Sequence, residues 1–204
     1  MKGRGHDNEW PQKKRLGLSL ETLPMDAGAE LYCSLAAAGL LAVTWGNAVD
    51  SGRILVMRHA EKSGDPFDPD LSLAGRQRAQ QLVNFLPTTF GRPDNLFATL
   101  RSKHSNRPYE TLEPLAQSLG IAIDATFADQ DYSAIAHTLR SNPQFESKCI
   151  VVCWHHGNIP SLCHALNAKL GDYPDPWDSS VFNLILQFEF NQDHPKISKV
   201  LEPF

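Results

Sequence analysis

Arg58 and His59 stand side by side directly after the apolar run 54–57, which is typical of a buried strand. Arg107 and His156 each follow a further apolar run, close to the start of a predicted helix. In open α/β sheets, ligands bind at the carboxyl ends of the strands, where helix N-termini attract anions. An imidazole can attack phosphorus, and guanidinium groups can hold phosphoryl oxygens. We therefore expect these four side chains to form a phosphate pocket that needs no metal.

The elements that would position these residues alternate along the chain from residue 53 onward. Apolar or alternating segments predict five strands, at residues 54–57, 96–100, 121–127, 149–154 and 182–190. Four helices are predicted: one from Ser72 that Pro87 stops, one from Asn106 to Gly120, a short one through 135–139, and one over 159–166. This alternation implies an α/β domain, a three-layer α/β/α sandwich with a largely parallel central sheet.

The composition limits the classes of partner. The chain has 204 residues, of which 42% are hydrophobic and 21% charged, as is typical of a globular domain. Its formal net charge of −4 argues against nucleic-acid binding, which calls for a basic face. The four cysteines show no framework spacing, and their apolar surroundings indicate buried free thiols in a reducing compartment.

The first 50 residues differ from the rest, and we interpret them as an N-terminal extension before a domain at 51–204. A polar segment precedes an apolar stretch from Leu31 to Trp45. That stretch is shorter than the about 20 residues that span a bilayer, so we expect no stable membrane insertion. It fits a packed helix or an export signal over Leu31 to Ala48. Acidic residues stand where a signal would carry positive charge, so a cytoplasmic location is the expectation and export the alternative.

The motifs, in their order, resemble those of the histidine phosphatase superfamily, which has the phosphoglycerate mutase-like fold. Arg58-His59-Ala60-Glu61 matches the first family motif, whose histidine is phosphorylated. The segments 71–79, 107–111 (RPYET) and 156–158 (HGN) are similar to the later motifs. The resemblance covers residues 53–200. It implies a metal-independent phosphatase that hydrolyses phosphate monoesters through a phosphohistidine, without a cofactor, on a small phosphorylated substrate or a phosphoprotein.

The resemblance also implies a role for each residue of the pocket. His59 would be the nucleophile, and Arg58 and Arg107 would bind the phosphoryl oxygens. His156 would donate a further hydrogen bond to those oxygens. His155 should point away from His156 if the strand continues, so we expect a structural or pocket-wall role for it and not a catalytic one.

A carboxyl group must protonate the leaving alcohol and later activate water. In the family it commonly comes from a segment between the two histidine motifs, so Asp131 is our choice, with Asp129 and Glu110 as rivals. The candidate substrate contacts are Glu61, Lys62 and Asn158; solvated loop charges are an equal interpretation of the first two.

Two other functions stay open. Residues 61–66 depart from the longer Ser/Asn-containing pattern of phosphoglycerate mutases, so a mutase-type phosphoryl transferase is the weaker alternative. A non-catalytic module that binds phosphorylated ligands would keep both arginines and lack a working acid. The oligomeric state is unknown, although the 182–190 strand is expected to offer an exposed edge that could pair between subunits.

Overall fold

A computed structural model describes residues 52–190 and 194–204, so the predictions for the N-terminal extension and export signal lie outside the described residues. Six strands form one sheet: β1 (Arg53–Arg58), β2 (Asn95–Ala98), β3 (Ile123–Asp124), β4 (Cys149–Trp154), β5 (Leu184–Glu189) and β6 (Lys196–Leu201). Their order is β3-β2-β4-β1-β5-β6. The first four strands are parallel, whereas β5 and β6 run antiparallel to their neighbours. The predicted largely parallel α/β sheet is confirmed.

The helices are α1 (Leu73–Phe90), α2 (Arg107–Leu119), α3 (Tyr132–Ser141) and α4 (Ile159–Ala165). Along β1, Ile54 and Val56 belong to a core with residues of α3 and α4, whereas Leu55 and Met57 belong to a core with residues of α1 and α2. Because successive side chains of a strand point to opposite faces, this split places a helical layer on each side of the sheet. Within the described residues, no helix is both long and apolar enough to cross a membrane.

Helix α1 continues through Pro87, where the sequence predicted a stop. Ser72 caps its start, since its side chain accepts a hydrogen bond from the Gly75 amide. Pro87 removes one helical N–H, but its own carbonyl accepts the amide of Gly91, and the last turn buries Phe90. The burial of this phenyl ring offsets the loss of a single hydrogen bond near the helix end.

The sheet departs from the prediction at both edges. Strand β3 comprises two residues, Ile123 and Asp124, instead of the expected 121–127. Strand β6 was missed, because it is half-exposed and carries mixed residue types. It pairs with β5 over its full length, so β5 lies between β1 and β6. The prediction of a free edge at 182–190 is therefore wrong.

The cysteines that the structure describes are buried free thiols, as predicted: Cys149, Cys153 and Cys163. Burial raises the pKa of each thiol, to about 11 for Cys149. These groups are therefore protonated components of the core.

Candidate active site

The candidate site lies where the adjacent parallel strands β1 and β4 end. Their register pairs Arg58 with Trp154, so the next residues, His59 and His155, are also neighbours. The amide of His59 donates a hydrogen bond to the carbonyl of Trp154 at 3.1 Å. The imidazole rings of His59 and His155 meet edge to face, with 5.1 Å between their centroids.

His155, for which the sequence predicted a structural or pocket-wall role, lies beside His59. His155 occupies the place beside His59 that the sequence assigned to His156. Strand β4 ends at Trp154, and a turn follows in which the His155 carbonyl accepts the amides of Asn158 and Ile159. The alternation of side chains along a strand therefore does not determine where the two histidines point. His156 is half-exposed and lines a neighbouring cleft. The signal that could have found His155 is its position directly after a buried strand, like His59 after β1.

His59 is held in the form that a nucleophile requires. The side chain is buried, and its Nδ1 lies 2.6 Å from the carbonyl oxygen of Ala60. Because a carbonyl can only accept, Nδ1 carries the proton and Nε2 keeps a free lone pair. Burial is the main cause that lowers the pKa of His59 to about 3, and the charges of His155, Arg58 and Arg107 lower it further. The imidazole is therefore neutral near pH 7.

Arg58 is fixed by the segment that leads into β5. Its Nη1 donates to the carbonyls of Ser179 at 2.6 Å and Val181 at 3.2 Å. Its guanidinium carbon lies 3.7 Å from the ring centroid of Phe182, a cation–π contact. Burial lowers the pKa of Arg58 to about 10, so the group stays charged near pH 7.

The two arginines share one pattern of hydrogen bonding. Arg107, at the start of α2, donates from Nη1 to the carbonyl of Asp68 at 2.9 Å. Among the described residues, the Nε–H of Arg58 and that of Arg107 are both buried without a partner. A buried charged donor that lacks a partner is costly, and an anion would satisfy it. Each guanidinium is thus anchored at one end and free to bind an oxyanion at Nε.

The two arginines and the two histidines of the site affect one another electrostatically. Burial lowers the pKa of His155 to about 4, and the charges of Arg107 and Arg58 lower it further. The charge of Arg107 also lowers the pKa values of Arg58 and His59. The site therefore combines a buried and a half-buried cation, Arg58 and Arg107, with two neutral imidazoles, which suits a bound dianion.

Comparison with solved structures identifies the fold. No protein-family model and no curated protein matches the sequence. The protein histidine phosphatase SixA, solved with tungstate, matches with a TM-score of 0.53 and 13% identity, over 73% of this chain and 96% of that one. A mycobacterial glucosyl-3-phosphoglycerate phosphatase matches with a TM-score of 0.53 and 14% identity, over 72% of this chain and 97% of that one. The chain has the histidine phosphatase fold. The predicted phosphoglycerate mutase-like architecture is thereby confirmed.

Within this histidine phosphatase fold, Asp129 is the carboxylate that lies against the turn after β4. Its Oδ2 accepts from the Asn158 side chain at 2.8 Å, and its carbonyl accepts from the Trp154 indole at 3.0 Å. Its Oδ1 is buried without a partner among the described residues. Burial raises the pKa of Asp129.

The other two candidate acids have different surroundings. Asp131 is exposed and precedes α3, and its carboxylate accepts the amide of Ala128 at 2.9 Å. Glu110 accepts the amide of Leu71 at 2.8 Å, and burial raises its pKa. Of the three candidate carboxylates, Asp129 lies against the turn after β4, whereas Asp131, our choice from the sequence, is exposed.

The three candidate substrate contacts have different surroundings. Glu61 is bound by Arg78 through contacts of 2.8 to 3.1 Å, and Arg78 also binds the buried Glu202 at 2.6 Å. Lys62 is exposed, and its charge is one of those that lower the pKa of His156. Asn158 binds Asp129. The sequence did not show that Arg78 pairs with Glu61, and the three substrate contacts stay predictions.

Thr111 joins the two arginine motifs, a role that the sequence did not indicate. Its hydroxyl accepts the amide of Ala60 at 2.9 Å and donates to the carbonyl of Arg107 at 2.8 Å. The carbonyl of Ala60 in turn accepts from Nδ1 of His59. Thr111 is fully buried, so it holds the imidazole of His59 through the backbone of Ala60.

Thr111→Val preserves the shape of this side chain and removes the hydroxyl. We expect the free energy of unfolding to fall by about 1–3 kcal/mol, because the buried Ala60 amide loses its acceptor. We also expect turnover to fall by about tenfold, since misplacement of a reacting group costs rate. Thr111→Ser keeps the hydroxyl and should restore turnover. Urea denaturation and phosphatase kinetics measure both effects; a valine variant with wild-type turnover would contradict the positioning role.

Proposed function

We propose that the protein is a metal-independent phosphatase that hydrolyses phosphate monoesters through a phosphohistidine at His59. The observation that carries this proposal is the pair of buried, unpartnered Nε–H groups of Arg58 and Arg107 beside a buried neutral imidazole. These guanidinium groups supply the positive charge that a phosphoryl group needs during transfer. The fold is consistent with this chemistry, since solved proteins that share it are named as phosphatases.

The first step transfers the phosphoryl group to the enzyme. The dianion binds between Arg58 and Arg107, with His155 donating a further hydrogen bond. The Nε2 lone pair of His59 forms a bond to phosphorus, and the bond from phosphorus to the ester oxygen breaks. The electron pair goes to that oxygen, which takes a proton from Asp129 and leaves as the alcohol.

The second step hydrolyses the phosphohistidine. A water molecule attacks phosphorus and gives a proton to the Asp129 carboxylate. The bond between phosphorus and Nε2 breaks, and its electron pair returns to the imidazole, so His59 is neutral again. Inorganic phosphate leaves. The Nδ1–H bond to the Ala60 carbonyl stabilises the ring while it carries the phosphoryl group.

Turnover of para-nitrophenyl phosphate in the presence of a metal chelator tests the proposal. A phosphatase of this type should release phosphate continuously at a rate that the chelator leaves unchanged. A wild-type protein that binds inorganic phosphate and releases none from the ester would instead be the phospho-ligand binding module. A rate that the chelator abolishes would contradict metal independence.

Asp129→Asn is expected to lower kcat by about 10²–10⁴-fold on an alkyl phosphate, whose leaving oxygen must be protonated. The loss should be much smaller on para-nitrophenyl phosphate, because para-nitrophenolate is a good leaving group. The raised pKa of Asp129 keeps more of the acid protonated as the pH rises towards neutrality, so the first step should slow only at higher pH.

Asp131→Asn is the matched control, two residues away on the same loop. It should change kcat by less than about twofold on either substrate, since surface changes away from a site have small effects. A larger loss for Asp131→Asn than for Asp129→Asn on the alkyl phosphate would reverse the assignment.

A further inference from the structure

A cleft with a volume of about 670 Å³ lies beside the candidate active site, and nothing in the proposed reaction uses it yet. Its walls come from the start of α3, one side of α4 and the loop 170–177. A volume of this size is typical of sites that hold a small organic molecule. The proposed pocket for the phosphoryl group is formed by other residues, so the cleft is available to another part of the substrate.

His156 connects the cleft with the proposed phosphate pocket. It lines the cleft and follows His155, whose ring contacts His59. Burial and the charge of Arg58 both lower the pKa of His156, which shows that the two groups are within electrostatic range. The cleft is therefore near enough to Arg58 to receive another part of a phosphate ester that Arg58 holds.

A shared carbonyl provides a second connection. Trp177 lines the cleft and donates from its indole to the Val181 carbonyl at 3.1 Å. The same oxygen accepts from Nη1 of Arg58 at 3.2 Å. One short segment thus forms a wall of the cleft and fixes the proposed phosphate-binding arginine.

The chemistry of the lining suits an uncharged group better than a second anionic group. Within the described part of the chain, neither lysine nor arginine lines the cleft, and Asp175 contributes a negative charge. The remaining groups are hydroxyls, such as those of Ser133 and Ser161, the imidazole of His164, and apolar or aromatic surfaces. Leu170 at the rim is 77% exposed, so a ligand with an apolar body would cover it. A carboxylate or a second phosphate would find no lysine or arginine among the described residues of the lining, since Lys62, whose charge reaches His156, lies outside it.

We infer that this cleft is the leaving-group subsite and that it takes an uncharged organic group with an apolar or aromatic body. The substrate class is therefore a monophosphate ester of a neutral alcohol or phenol, in contrast to a bisphosphate or a phosphorylated carboxylic acid. This inference rests on the proposed phosphatase function for the direction of the substrate, while the occupant of the cleft follows from the lining itself.

Filling the cleft tests the inference with a matched pair of variants. Ser133 and Ala134 are adjacent exposed residues on the first turn of α3, and of the two only Ser133 lines the cleft. Ser133→Trp should lower kcat/KM for 2-naphthyl phosphate by at least tenfold and leave acetyl phosphate, which is too small to reach the cleft, within twofold. Ala134→Trp should leave both within twofold. The wild type should also prefer 2-naphthyl phosphate over its 6-carboxy derivative by at least tenfold.

Binding of 2-naphthol, measured by calorimetry, separates failure of this inference from failure of the proposed function. Loss of naphthol binding in Ser133→Trp, with binding kept in Ala134→Trp, supports the subsite even if no phosphate ester is turned over. Naphthol binding that Ser133→Trp leaves unchanged would overturn the inference, and so would equal losses for naphthyl phosphate and acetyl phosphate. Absent turnover of every substrate, acetyl phosphate included, would instead overturn the proposed phosphatase.

Discussion

His59→Ala is expected to lower kcat on para-nitrophenyl phosphate by at least about 10³-fold, because removal of the nucleophile leaves only binding and electrostatic stabilisation. The residue is buried between the ends of β1 and β4, and its Nδ1 bond to Ala60 leaves Nε2 free to attack. His155 lies next to it, with its ring turned 69° from that of His59. The remaining activity should be what binding and electrostatic stabilisation provide without a nucleophile.

Trapping of the intermediate makes this result specific to covalent catalysis. Wild-type protein quenched during turnover of a ³²P-labelled phosphate ester should retain label in alkali and lose it in acid, as expected for a phosphorus–nitrogen bond. His59→Ala should carry no label, although it should still bind vanadate through Arg58 and Arg107. An alanine variant that becomes labelled, or that keeps a tenth of the turnover, would show that another group attacks phosphorus.

The pH dependence of the wild type follows from the direction of the pKa shift of His59. The imidazole attacks in its neutral form, which persists at pH values above its pKa and is lost below it. Because burial lowers that pKa to about 3, protonation of His59 should not reduce kcat/KM anywhere between pH 5 and pH 8. If kcat/KM instead fell on the acid side with a midpoint near 6.5, and if no substitution of another residue abolished that fall, His59 would be an exposed histidine.

The second large effect is expected at His155, and its neighbour in sequence provides the control. His155→Ala should lower kcat by about 10²–10³-fold, since the proposed hydrogen bond from His155 to the transferring oxygens would stabilise their charge in the transition state. Its ring contacts that of His59, and burial together with the arginine charges lowers its pKa. It is held in the site by its surroundings, including Thr99, whose hydroxyl lies 3.4 Å from its Nε2.

His156→Ala should change kcat on para-nitrophenyl phosphate by less than about fivefold. Its side chain is half-exposed at the cleft, so its removal should mainly raise KM for substrates with a large leaving group. Steady-state kinetics on the two variants decides between the positions. A large loss of kcat in His156→Ala together with a small loss in His155→Ala would restore the assignment made from the sequence.

Much of the fold follows from local sequence patterns. The continuous apolar runs of β1 and β4 reflect burial on both faces, and such runs are required at the centre of a parallel sheet. Capping and glycine signals located the ends of α2 correctly, at Asn106 and Gly120. Strand β6 was not predicted, because its stability comes from pairing with β5 and its own residues do not alternate between apolar and polar.

The sequence could not distinguish between Asp129 and Asp131 as the general acid, for a different physical reason. Asp129 and Asp131 stand in the same loop and offer the same functional group. What separates them is burial against Trp154 and the hydrogen bond from Asn158, both of which come from residues more than twenty positions away. Contacts of this kind depend on how β4 and the loop before α3 pack, and a local pattern does not encode that packing.

The amino-acid sequence by itself determined the α/β class, the order of the motifs, and the positions of Arg58, His59 and Arg107 beside strand ends or a helix start. These features depend on residue type, on short-range periodicity and on the rule that parallel strands end at one edge of a sheet. The tertiary structure alone decided that His155 and not His156 contacts His59, that Asp129 has a buried carboxylate oxygen, and that Arg78 pairs with Glu61. Each of these depends on where a strand stops and on which distant side chain fills the adjacent space, and that is settled by packing in three dimensions.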